Sequence, residues 1–313
     1  MNILVTAIGS FSADYVISSL NQSGHNVIGC DIYPAEWHAV SRDCAAVYQV
    51  PLATTGEDYI NALLKICTKH QIDFIFPLTD VEIDVLAPHR AQFAQVCNGR
   101  LCIQSDEVLR IARNKLTMCQ FFADDQLVDV PPFSDSANTP ADFPLPAIAK
   151  PINGRSSEGL CIIRNQNELL QIKLLPDYIL QEKLNGPVFT VDYVRNAAQE
   201  TDVAIPREEL LRTKNGAGTT VKTACDSALI NTVSYIGRIL GVNGCINMEF
   251  ILHEGRYYLI DINPRFSAGI AFSGMLGYDM VLAHLSCFTG GTIPSAPALS
   301  ELIITKRYRE EIL

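Results

Sequence analysis

The order in which apolar runs follow one another constrains this chain more than any single motif. Between residues 2 and 105, strand-like and helix-like runs alternate. NILVT (2–6) is followed by a helical stretch from Ser12 to Leu20, then by NVIGCD (26–31). Residues 57–70 place Ile60, Leu63, Leu64 and Cys67 at helical spacing; FIFPL (74–78), a helix from near Val81, and RLCIQ (100–104) follow. Continuously apolar strands between amphipathic helices predict a parallel sheet covered on both faces, and right-handed crossovers make it a doubly wound lobe. From residue 146 the order changes. PAIAKP, GLCIIRN, YILQEKL, FTVDYVR, TVKTA, INMEFIL and YYLIDI follow one another with few helices between them, which predicts antiparallel sheets. A helix is predicted over Ala228–Leu240 and another from near Gly277. Residues 106–125 read as a helical connector, VDVPPF (128–133) as linker, and the closing KRYREEIL as a last helix or strand edge.

A chain of 313 residues is long for one core, so two or three lobes are expected. With 48% apolar and 19% charged residues it is far from a disordered composition. A formal charge of −10 without a basic cluster argues against nucleic acid and against an anionic membrane surface. It leaves room for a small polyanion at a local basic pocket. Ten cysteines occur without a C-x-x-C pair, and read as thiols in a reducing cytoplasm. MNILVTAIGS has no basic n-region and reads as a first strand, and no apolar run reaches the ~20 residues that span a bilayer.

Gly9, after the first strand, and Asp31, at the end of the second, invite a dinucleotide reading. The full fingerprint needs three glycines, and one is present. A nicotinamide-dependent dehydrogenase using the first lobe is therefore a minor alternative.

The second half carries denser chemistry. In AKPINGRSSEGL (149–160) a strand delivers Lys150 to a loop rich in glycine and hydroxyls, whose main-chain N–H groups can cradle phosphate while the ammonium places a point charge on it. An ordinary hairpin with a surface lysine fits the same residues. QEKLNG (181–186) can receive a nucleotide base, or Glu182 is a solvated acid. In INMEF, Glu249 precedes Asp261 of LIDINPRFSAG by twelve positions, and the short HEGR turn makes their strands a hairpin. Two acids on adjacent strands repel unless a cation lies between them. Mg²⁺, which takes carboxylates plus substrate phosphates, is the favoured reading over a solvated acid pair, with Asn263 as a neutral oxygen and Arg265 as a fork for phosphate or carboxylate.

Taken together, Lys115, Lys150 with its loop, QEKLNG, Glu249 and DINPR stand in the order seen in ATP-grasp enzymes. The chain resembles the carbamoyl-phosphate-synthase-like and amino-acid-ligase branch of that superfamily from Asn2 to about Tyr308. The resemblance implies a Rossmann-like first domain (1–105), a connector and small lid subdomain (106–182), and an antiparallel-sheet central lobe (183–313). It implies ATP and Mg²⁺, or Mn²⁺, as cofactors. Lys115 and Lys150 match phosphate lysines. Asn153, Gly154, Ser156, Ser157 and Gly159 match the loop over the phosphates, and Gln181, Glu182, Lys183 and Leu184 match the hinge that reads adenine. Glu249, Asp261 and Asn263 match metal ligands, and Arg265 matches the arginine near the transferred phosphoryl group, a catalytic role shared with Lys150. Two departures stand out: Val188 occupies the place of a frequent ribose-binding acid, and Asp261 that of a commoner glutamate.

The activity implied is ligation of a small carboxylate to an amine through an acylphosphate, with a catalytically idle ATP-binding subunit as alternative. Substrate contacts are expected at Arg207 and the KNGAGTT stretch, both read as lying between strands, at Ser267 and Gly269, and at Asp80 and Glu82 for an amine. A cap on a helix N-terminus is the plainer reading of that acid pair. A homodimer is the common expectation for oligomeric state.

Overall fold

The structure, a computed structural model, describes residues 1–97, 99–155 and 158–312. The first lobe contains β1 (Asn2–Val5), α1 (Ala13–Gln22), β2 (Asn26–Asp31), β3 (Ala46–Gln49), α2 (Glu57–His70), β4 (Phe74–Phe76), α3 (Asp80–Leu86), α4 (Arg90–Cys97) and β5 (Arg100–Leu101). Its five strands are parallel in the order β3-β2-β1-β4-β5. The two faces of β1 feed different cores. Ile3 and Val5 join a cluster with α1, while Leu4 joins Tyr59, Ile60 and Leu63 of α2 on the other side. That double burial is why the strands read as unbroken apolar runs. The strand order reverses between β1 and β4, and the loops after these two strands form a crevice.

A connector of α5 (Asp106–Ala112) and α6 (Lys115–Phe122) follows. Both helices are capped by side chains, Ser105 on the Val108 N–H and Asn114 on the Thr117 N–H. Next comes a small sheet of β6 (Phe133–Asp135), β7 (Ala147–Pro151), β8 (Cys161–Ile163) and β9 (Tyr178–Glu182), with α7 (Gln166–Ile172), in the antiparallel order β6-β9-β7-β8.

The remainder comprises β10 (Val188–Asn196), β11 (Thr201–Arg212), β12 (Gly218–Thr223), α8 (Ser227–Leu240), β13 (Gly244–His253), β14 (Arg256–Asn263), α9 (Ile270–Met275), α10 (Met280–Thr289) and β15 (Ile303–Thr305). Its six strands are antiparallel, ordered β14-β13-β10-β11-β12-β15. One face, with Val191, Tyr193, Met248 and Phe250, packs on α8 and the connector helices. The opposite face is divided. Val194, Val203, Ile205 and Cys245 join the first lobe's core, and the rest of that face is polar.

The α/β plus α+β class expected from the run order is the observed one. Three local readings are corrected. Arg207 lies on β11, a twelve-residue strand, not between strands. Pro206 disguised it, yet it stands just beyond the last β11–β12 pair, Arg207↔Thr223, where its carbonyl accepts the Ala224 N–H. RLCIQ yields only a two-residue strand, because β4 offers just three residues and pairs with it at two. The linker reading of 128–133 overlaps β6, which begins at Phe133. All ten cysteines are free thiols. Among the described residues no helix is long and apolar enough to cross a membrane.

Candidate active site

The polar part of the central sheet is a grid set by strand register. Thr190 on β10 pairs with Arg207 on β11 and Glu249 on β13, and Glu249 pairs with Asp261 on β14. One row on, Asp192 pairs with Asn247 and Asn247 with Asn263. Because side chains alternate along a strand, residues 190 and 192, 247 and 249, and 261 and 263 share one face. Above this grid lies a cavity of about 630 Å³. Its walls come from all parts of the chain: Gly9–Ser12 and Leu78–Val81 from the switch-point crevice, Lys115, Lys150 and Gly154, and the turn Arg265–Gly269.

Every acid of the grid faces a cation. The Lys115 ammonium sits 3.0 Å from Asp261 Oδ1 and donates to the Gly154 carbonyl at 3.0 Å. Arg212 donates to Glu249 Oε2 at 2.8 Å. Lys150 donates to the Ile260 carbonyl at 3.0 Å, and its burial lowers its pKa despite the attraction of Asp261. Arg265 binds Asp80 Oδ2 through Nε and Nη2 at 2.9 and 2.8 Å. Burial would raise the Asp80 carboxyl, but Arg265 and Arg113 outweigh it and hold the pKa below the usual range. Arg207 is buried, donating to Asp192 at 2.7 Å and to Ser267 Oγ at 3.0 Å.

Of the residues singled out from the sequence, Lys115, Lys150, Gly154, Glu249, Asp261, Asn263, Arg265, Arg207, Asp80, Ser267 and Gly269 line this cavity. Asn153, Gly159 and the hinge residues Gln181, Glu182, Lys183 and Leu184 are not among its walls. Within the hinge, the Lys183 N–H is bonded to the Pro146 carbonyl and the Gln181 side chain donates to Cys119 Sγ. Ser156 and Ser157 lie outside the described residues. Glu82 turns away: it closes a capping box with Thr79 and accepts the Tyr59 hydroxyl at 2.8 Å. Its expected contact with an amine is thereby corrected to a helix-cap and core role. Asp31 is likewise engaged internally, by the Gly9 N–H at 2.9 Å, the Tyr33 N–H at 3.1 Å and His38 at 3.3 Å. A Cβ at Gly9 would press on the His38 ring, so this loop is shaped around His38 rather than around a pyrophosphate.

Sequence reasoning missed Thr190, Glu209, Arg212 and Asn247, which also line the cavity. Glu209 and Asn247 were legible as polar residues two positions from one already chosen, Arg207 and Glu249. Arg212 was not, because register shifts between Glu209 and Arg212 turn it onto the cavity side.

Do these residues fit Mg²⁺ and a nucleotide? Glu249 and Asp261 are directly opposed and both face the cavity, with Asn263 beside them. No cluster of three His, Cys, Asp or Glu occurs among the described residues. Two carboxylates are nevertheless what Mg²⁺ uses when phosphates complete its shell. The donor set fits.

A family model described as ATP-grasp in the biosynthetic pathway with Ter operon matches residues 174–310, and one for a PylC-like N-terminal domain matches residues 3–98. The ATP-grasp match covers the C-terminal part of the chain, residues 174–310. Among similar solved structures is a Campylobacter jejuni biotin carboxylase β-γ-ATP complex, at 17% identity and a TM-score of 0.76, covering 94% of this chain and 72% of that one. The biotin carboxylase domain of a Hydrogenobacter thermophilus 2-oxoglutarate carboxylase, with MgADP and bicarbonate, also reaches 17% and 0.76, covering 94% and 71%. A Staphylococcus aureus N5-carboxyaminoimidazole synthetase reaches 15% and 0.74, covering 97% and 79%. At these identities the likeness establishes the ATP-grasp fold.

Proposed function

We propose that this protein of ATP-grasp fold is an ATP-dependent carboxylate–amine ligase that works through an acylphosphate and releases ADP and phosphate. One observation carries the reading: Lys115, Lys150, Glu249, Asp261 and Arg265 all face a single cavity, although they come from the connector, the small sheet and the central sheet. Similar proteins have been crystallised with ADP, and one with MgADP and bicarbonate, which supports a nucleotide and a small carboxylate in this cavity.

Glu249 and Asp261, with Asn263, would hold Mg²⁺, which would neutralise phosphate charge when bound. Lys115 and Lys150 place compact positive charge on the same phosphates. Gly154, which lines the cavity, and Gln181 to Leu184, which lie outside its walls, are assigned to the nucleotide's two ends. Arg265 orients the carboxylate that attacks the γ-phosphate, and its charge offsets what develops there. An amine then displaces phosphate. Asp80, whose Oδ1 is buried without a hydrogen bond, Arg207, Ser267 and Gly269 form the end of the cavity assigned to the non-nucleotide substrates. Residues 1–105 share that end with 183–313, which also carries Glu249, Asp261 and Asn263, and 106–182 contributes Lys115 and Lys150.

The test is a phosphate-release screen against pooled amino acids and small carboxylates, bicarbonate included, with mass spectrometry of products. A ligase releases phosphate only when both a carboxylate and an amine are present. Binding of MgATP without turnover in any pool would favour the idle subunit.

A further inference from the structure

We infer that the C-terminal tail positions the substrate end of the cavity, with Lys306 as the positioning residue that holds two of its walls together. The tail is anchored first by β15, whose Ile303, Ile304 and Thr305 pair with Lys222, Val221 and Thr220 of β12. The Lys306 N–H extends this ladder to the Thr219 carbonyl at 2.8 Å. Beyond that point the chain leaves the sheet edge, and the Lys306 side chain turns toward the cavity wall.

Its ammonium meets three elements at once. It donates to the Ala268 carbonyl at 2.6 Å, in the turn after β14. It stands 5.5 Å from the ring centroid of Phe11, in the loop between β1 and α1, and 5.6 Å from that of Phe272 on α9. Both distances suit a cation held over an aromatic face. Phe11 and Ala268 line the cavity from different lobes. Phe11 remains 57% exposed with the ammonium over its ring. Among the described residues no carboxylate forms an ion pair with Lys306. The half-buried ammonium is thus held by one carbonyl and two rings, an arrangement that depends on both walls being in place. Burial and the nearby Arg207 charge both lower its pKa.

The consequence reaches the polar groups of this end. Ala268 lies between Ser267, which accepts from Arg207, and Gly269, whose N–H donates to Ser267 Oγ at 3.2 Å. Fixing the Ala268 carbonyl therefore fixes the turn that aligns Ser267 with Arg207. The tail also returns to the first lobe, where Arg42 Nη2 donates to the Ile312 carbonyl at 2.7 Å. The clamp is a statement about the folded chain; only its meaning for substrate recognition rests on the ligase reading.

The experiment is hydrogen exchange by mass spectrometry on the full chain without ligand, comparing wild type with Lys306→Met, Lys306→Arg and Phe11→Leu. Lys306→Met is expected to speed exchange about tenfold in peptides covering 7–15 and 266–275, leaving peptides within 178–196 unchanged. Lys306→Arg, which keeps the cation over the rings, restores wild-type exchange, and Phe11→Leu reproduces the effect in 266–275. Unchanged exchange in both segments of Lys306→Met, or a uniform rise along the chain in both that variant and Phe11→Leu, overturns the proposal. A separate melting scan with MgATP judges the nucleotide reading, so failure of one is not failure of the other.

Discussion

Lys115 and Asp261 meet at 3.0 Å although 146 positions separate them. The same ammonium reaches the Gly154 carbonyl, so one side chain ties the connector, the loop after β7 and β14. If this cluster handles MgATP, Asp261→Asn and Lys150→Ala each lower ATP turnover by at least about a hundredfold, since each removes charge stabilisation from the transferred group. Both variants remain folded by far-UV circular dichroism. Phosphate release checks this, and undiminished turnover in both would contradict the site assignment.

Arg265 and Asp80 make the second long-range pair, joining the strand end to the N-terminus of α3. Asp80→Asn leaves Arg265 and Arg113 facing each other across an amide, and is expected to cost about 3 kcal/mol. The Asp80 pKa is depressed, so its contribution is present above about pH 4 and is lost as pH falls further. Urea denaturation at pH 7 should show a lower midpoint with an unchanged slope. An unchanged midpoint would mean that the pair contributes nothing net.

His284 gives a different pH signature. Its Nδ1 accepts the Cys245 N–H at 2.8 Å, while Nε2 donates to the Cys102 carbonyl of the first lobe at 3.2 Å. Phe76, Phe266 and Phe288 surround the ring. Burial lowers its pKa to about 4. A lowered histidine keeps the fold stable above its unfolded pKa of about 6.5 and costs stability as pH falls toward 4, where the unfolded chain binds a proton and the native one does not. The loss is on the order of 3 kcal/mol across that window. His284→Gln should flatten the dependence of the urea midpoint between pH 7 and pH 4.5.

Gly186 follows the Gln181–Leu184 segment proposed to meet the nucleotide base. A Cβ there would overlap the Leu252 carbonyl oxygen, main chain that cannot swing aside as a side chain can. Gly186→Ala should therefore push the 181–187 segment away from β13, lower the melting temperature by several degrees and weaken MgATP binding more than tenfold. Calorimetric scans with and without MgATP measure both effects.

Much of this was legible in the sequence because it rests on local periodicity. The parallel lobe followed from unbroken apolar strands, and the Glu249–Asp261 opposition from the short turn that makes their strands a hairpin. What escaped depends on contacts between distant strands. A bulge turns Arg212 toward Glu249, and no local pattern announces it. Pro206 masked β11 because the backbone position that tolerates it is set by where β12 stops pairing. Asp80 and Glu82 looked equivalent, two residues apart. Only the capping box, which draws Glu82 inward while Arg265 draws Asp80 to the cavity, separates them.

The most direct test of the central claim is isothermal titration of the wild-type chain and of Lys150→Ala with the magnesium complex of a non-hydrolysable ATP analogue. Saturable binding at one site that needs Mg²⁺ and weakens at least tenfold in Lys150→Ala is the predicted result. Absence of binding at millimolar analogue, or equal binding by both chains, would contradict it.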